Sequence, residues 1–129
     1  MIIKHYYITK KRENSILDLI DKKLYLRKLS KDRSKVYLST LDMKTALIHN
    51  KSDILDVIDL NSITASEYTL KSHKNNQFYC SHPLGETTRI AYFEANRSEA
   101  KAWEMFNLKK SKNIVVSQTI RHKLQELNR

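Results

Sequence analysis

Four groups of residues could do chemistry, and the cations are the most numerous. The chain holds 24 Lys and Arg against 14 Asp and Glu, a net charge of +10. That charge is segregated: residues 1–35 carry 11 basic against 4 acidic side chains, and residues 101–129 carry 7 against 2. The middle third, residues 36–70, is acidic, with 2 against 5. A molecule polarised in this way suits an anionic surface on one side. The other three groups are weaker. Cys80 and His82 alternate onto one strand face near His73, but metal ligation needs three or four convergent ligands. Cys80 with a histidine lacks the supporting acid and oxyanion donors of a nucleophilic site. Asp53, Asp56 and Asp59 recur at every third position across a turn and a strand, where they do not converge. The sequence therefore predicts no enzyme, no metal and no cofactor.

The elements that must position these cations are mostly strands. KLYLRKL at 23–29, KVYLSTL at 35–41, KTALIHN at 44–50 and ILDVIDL at 54–60 alternate apolar and polar residues at period two. Further strands centre on Tyr68 and Leu70, on QFYC at 77–80, and on TTRIAYFEA at 87–95. Short polar turns join them, which favours antiparallel neighbours. Pro83 and Gly85 mark the clearest loop. At Asn96 the rhythm changes: Ala100, Trp103 and Phe106 recur at helical spacing, with Ala102 and Met105 widening the stripe. Asn96 as N-cap and Glu99 three residues on complete the signature of a helix over 96–108. A second helical stripe follows at Val116, Ile120, Leu124 and Leu127. A short helix is expected near residues 14–20 from Ile16, Leu17 and Ile20.

At 129 residues the chain is one domain's worth. A single cysteine permits no internal disulfide, so a reducing, cytosolic setting fits. No apolar run approaches the length of a membrane span, and residues 1–8 lack the features of a signal peptide.

Seven strands followed by a helix with one inward Trp resemble the pleckstrin homology (PH) domain. The resemblance rests on LYLRKL, a turn and RSKVYLSTLD as a first hairpin, on DVIDL as a fourth strand, on QFYC as a sixth, and on YFEANRSEAKAWEMFNL as the closing strand and helix. It covers residues 23–109, with phosphotyrosine-binding-like relatives of the same superfold as neighbours. It implies a mostly-β fold: a seven-stranded antiparallel, partly closed barrel or sandwich capped by one helix, in which Trp103 and Phe106 anchor the helix to the core. Residues 1–22 become an N-terminal extension and 110–129 a basic, helical C-terminal one.

Many family members bind phosphoinositides across the first hairpin. Carried over here, the resemblance implies a headgroup site at Lys28, Lys31, Arg33 and Lys35, with Lys51 adding to the field. The expected partner is an anionic membrane lipid, a phosphoinositide, phosphatidic acid or phosphatidylserine, and the expected role is a cytoplasmic, peripheral-membrane adaptor. The alternative is a protein-interaction module on the same scaffold, with the stripe Val116, Ile120, Leu124 and Leu127 meeting the partner. Nucleic acid is disfavoured, because the aromatics fall at alternating core positions and not in an exposed stacking row.

Overall fold

The computed structural model describes residues 2–10, 15–28, 35–83, 91–112 and 114–129. Among these residues ten strands form one antiparallel sheet: β1 (Lys4–Thr9), β2 (Ser15–Ile20), β3 (Lys23–Lys28), β4 (Tyr37–Thr40), β5 (Thr45–His49), β6 (Ile54–Ser62), β7 (Tyr68–Ser72), β8 (Phe78–Pro83), β9 (Ala91–Arg97) and β10 (Asn107–Lys110). A 3-10 turn at Ala102–Glu104 links β9 to β10, and one helix, α1 (Gln118–Leu127), ends the chain. The sheet order is β10-β1-β4-β5-β6-β7-β8-β9-β3-β2. The sheet is open, with ten strands where the sequence predicts seven. Two isolated bridges, Tyr68 with Phe106 and Asp18 with Lys35, fold it back on itself.

Alternation decides the two faces. On one face Ile8, Leu17, Leu26, Leu38, Ile48, Ile58, Leu70 and Phe93 make the main core. On the opposite face of β5, Leu47 packs with Val116, Ile120 and Leu124 from the C-terminal segment. The Val116–Leu127 stripe is thus a helix, as its spacing predicts, but it covers the chain's own sheet. In this packing Ile120 and Leu124 are fully buried and Leu127 is half-buried.

Of the terminal segments expected to lie outside the 23–109 unit, the N-terminal one joins the sheet and the C-terminal one packs on it through a second cluster around Leu47. β1 pairs with β4 and β10, and β2 pairs with β3 along its whole length. The helix expected near 14–20 is strand β2. Six residues are too few to sustain a helix alone, whereas the Asp21-Lys22 turn, with φ of 48° and 62°, has the left-handed pair that a two-residue hairpin requires. Asp-Lys is not the Asn-Gly type of signal that announces such a turn, so the hairpin is silent in the sequence.

The helix expected over 96–108 is also corrected. β9 runs on to Arg97, which pairs with Phe78, and only Ala102–Glu104 turn helically. Phe106 then exchanges both backbone hydrogen bonds with Tyr68, each 2.8 Å, which requires an extended chain. In a helix Trp103 and Phe106 would share a face; here they part. Phe106 is fully buried, edge-on to Phe93 with ring centroids 5.2 Å apart, while Trp103 is 59% exposed. Trp103 is therefore not a core anchor. Carboxylate capping does occur, but Glu104 supplies it: its Oε2 accepts from the Lys101 backbone N at 3.2 Å, and its Oε1 lies 3.6 Å from Arg97 Nε.

Candidate anion-binding end of the sheet

The segments carrying Lys28 and Lys35 do not form a hairpin with each other. β3 lies between β9 and β2, whereas β4 lies between β1 and β5. Lys28 pairs with Ser15 on one side of β2, and Lys35 bridges Asp18 on the other. Two inter-strand spacings and three residues along the strand put their Cα atoms about 14 Å apart. They do not converge on one phosphate group in the way the first hairpin of the resemblance implies. Lys31 and Arg33 lie outside the described residues, as do residues 84–90 of the Pro-Gly loop and the start of the last predicted strand.

Lys35 and Lys51 do come together, for a topological reason. Antiparallel alternation brings the end of β1, the start of β4, the β5–β6 turn, the β7–β8 turn and the end of β9 to one end of the sheet. Lys10, Lys35, Lys51, Lys74, Arg97 and Lys101 occupy these positions, with Asp53 and Glu99 the exposed acids among them. Lys35 Nζ stands 6.0 Å from the centroid of the Tyr7 ring. Lys51 is exposed in a turn that Asn50 organises, its Oδ1 accepting from the backbone N of Ser52 and Asp53 at 2.8 and 2.6 Å. The same turn is tied to the N-terminus of α1, where Ser117 N donates to Lys51 O at 3.0 Å. Lys74 Nζ donates to Leu55 O at 2.7 Å. Lys10 Nζ donates to the carbonyls of Trp103 and Met105 at 2.7 and 3.0 Å, pinning the 3-10 turn to the end of β1. Among the described residues, neither Lys51 nor Lys101 forms an ion pair.

Among the described residues two hollows open near this end. One, of about 530 Å³, is bounded by Arg97, Ser98, Glu99, Lys101, Ala102 and Trp103, with Glu104 behind them. The other, of about 320 Å³, is lined by Ile54–Val57, His73 and Lys74. Asp56 is among its walls and is buried. Tyr79 Oη donates to Asp56 Oδ2 at 2.5 Å, and burial together with this carboxylate pushes the Tyr79 phenol well above its ordinary pKa. Asp56 Oδ1 accepts no hydrogen bond among the described residues.

A chain of polar side chains beneath α1 has the residue types of a nucleophilic site and none of its access. His49 Nδ1 faces the Asn50 carbonyl, which can only accept, so that nitrogen carries the proton. Ser39 then donates to His49 Nε2 across 2.6 Å, and His5 Nδ1 donates to Ser39 Oγ across 2.5 Å. Ser39 and His49 are completely buried. Desolvation lowers the His49 pKa to about 4, against which the Asn50 hydrogen bond works only partly. His5 is lowered too, by burial and then by the nearby Arg121 of α1. With no opening to a substrate, the chain satisfies polar groups under the helix. Cys80 is likewise fully buried, and among the described residues no three His, Cys, Asp or Glu side chains group to hold a metal.

Comparison with known proteins finds no matching family model, no matching curated protein and no matching solved structure. The fold itself sets the coarse class: a mostly-β, open antiparallel sheet with a C-terminal helix. Among the described residues no helix is long and apolar enough to cross a membrane.

Proposed function

We propose that this protein is a non-catalytic module that docks on anionic membrane surfaces at the cytoplasmic face, reading phosphoinositide or other acidic headgroups. A mostly-β sheet with a C-terminal helix is compatible with a PH-like scaffold, and the resemblance supports a lipid as partner. The observation that carries the reading is the gathering of Lys35, Lys51, Lys74, Arg97 and Lys101 at one end of the sheet from segments far apart in sequence. Lys31 and Arg33 lie outside the described residues, and Lys28 belongs elsewhere in the sheet.

The magnitude separates delocalised attraction from a fitted site. Each cation near an acidic bilayer contributes about 1 kcal/mol, so four or five give roughly 4–5 kcal/mol, an affinity near millimolar. Charge alone thus produces weak, salt-sensitive association. The test is sedimentation with phosphatidylcholine vesicles containing phosphatidylserine or a phosphoinositide. Binding is expected at low salt, is lost at high salt, and drops when Lys35→Ala and Lys51→Ala are combined. A protein that stays in the supernatant with acidic vesicles at low salt refutes the reading.

A further inference from the structure

The weak electrostatic term leaves a second anchor to be found, and the 3-10 turn holds a candidate. Trp103 is 59% exposed although it is one of the largest apolar side chains available to a core. Its backbone is not loose: Lys10 Nζ holds its carbonyl at 2.7 Å, and Glu104, buried beside it, is tied to Arg97 and to the Lys101 backbone. The fold therefore presents the indole outward on a fixed turn. That turn follows the end of β9 and is flanked by Arg97 and Lys101, with the exposed acid Glu99 between them.

We infer that Trp103 is an interfacial anchor, entering the headgroup layer of an acidic bilayer while the surrounding cations meet the lipid phosphates. Indole suits that depth, because its ring is apolar and its N–H keeps a polar partner. The hollow of about 530 Å³ beside it leaves room for a headgroup against Lys101 and Ser98. Around the hollow Lys101 and Arg97 stand against Glu99 and Glu104, so it is the chain's net charge of +10 that selects an acidic bilayer as occupant. A single-stranded nucleic acid fits less well, since stacking platforms use successive exposed aromatics along a basic track, and here one aromatic stands among cations distributed around an end. The inference rests on the membrane reading above and goes beyond it by naming the residue that inserts.

Trp103 is the chain's only tryptophan among seven tyrosines, so indole emission, excited beyond the tyrosine absorption band, reports on this position alone. The full chain is titrated with phosphatidylcholine/phosphatidylserine vesicles while both sedimentation and emission are followed. The expected result is a blue shift on binding, quenching by lipids brominated near the headgroup, and a loss of about tenfold or more in vesicle affinity for Trp103→Ala. Trp103→Phe should recover part of that loss, and unchanged thermal melting would show that both variants fold. Sedimentation without a shift or quenching, or Trp103→Ala binding as tightly as the parent, overturns the anchor and leaves the membrane reading standing. Absence of sedimentation at low salt overturns both, as does Trp103 quenching by a single-stranded oligonucleotide when vesicles have no effect.

Discussion

Two stretches of this chain carry the same helical signature and meet opposite fates. Residues 96–108 have a capping residue, an acid three positions on, and apolar residues at i, i+3 and i+6; residues 116–127 have apolar residues four, four and three apart. Only the second is a helix. Ser117 caps it, its Oγ accepting from Ile120 N at 3.4 Å, and the stripe has an apolar patch to cover at Leu47, Leu41 and Val57. The first stretch instead supplies what the sheet lacks. β9 finds a partner for Arg97 in Phe78, the start of β7 finds one in Phe106, and β1 finds one in β10. Backbone pairing and burial of Phe106 outweigh a propensity difference of a few tenths of a kcal/mol per residue. An amphipathic pattern proves a residue's preference for a face, and the neighbours decide whether a helix presents it.

The contrast can be broken most directly at its two aromatics. Phe106→Ala should cost about 3–5 kcal/mol in denaturant unfolding, as emptying a fully buried aromatic site does. Trp103→Ala should change stability by less than about 0.5 kcal/mol. A helix plugging the core through Trp103 would reverse that order. Leu124→Ala, beneath α1, should cost about 2–5 kcal/mol; a near-neutral result would mean that α1 does not cover the sheet in solution.

Acid provides a second probe of α1, because the helix covers the face that buries His49. Its folded pKa of about 4 lies below the 6.5 of an unfolded histidine, so between these values the unfolded chain binds the extra proton. Stability from this group is complete above about pH 6.5 and falls as pH drops toward 4, by roughly 3 kcal/mol across the window. His5 shifts in the same direction. Urea midpoints measured from pH 7.5 to pH 4.5 should therefore decline, and His49→Asn should remove most of the slope. A flat profile for the parent protein would contradict the buried neutral ring. Smallest of the set, Ser117→Ala should cost about 1 kcal/mol as a lost N-cap, read by the same urea titration.

The candidate site was partly legible. Lys35 and Lys51 are named by charge and by their place at turns, and their shared end follows from antiparallel alternation. Lys28 and Lys35 read as one hairpin because the residues between them look like a tight turn, while β2, whose sequence reads as a helix, comes between the two segments in the sheet. Arg97, Lys101 and Trp103 were missed as surface because their spacing matched a buried helical stripe. An isolated Trp beside Lys and Glu carries no mark that separates core from surface.

By itself the sequence determined the class: period-two alternation across most of the chain makes strands, polar turns make them antiparallel, and the 116–127 stripe makes a terminal helix. These are local properties, set by side-chain periodicity and capping. Only the tertiary structure decided the strand count, the order that places β2 beside β3, and the opposite exposures of Trp103 and Phe106. Such features depend on which distant backbone edge needs a partner, and no window of neighbouring residues contains that demand.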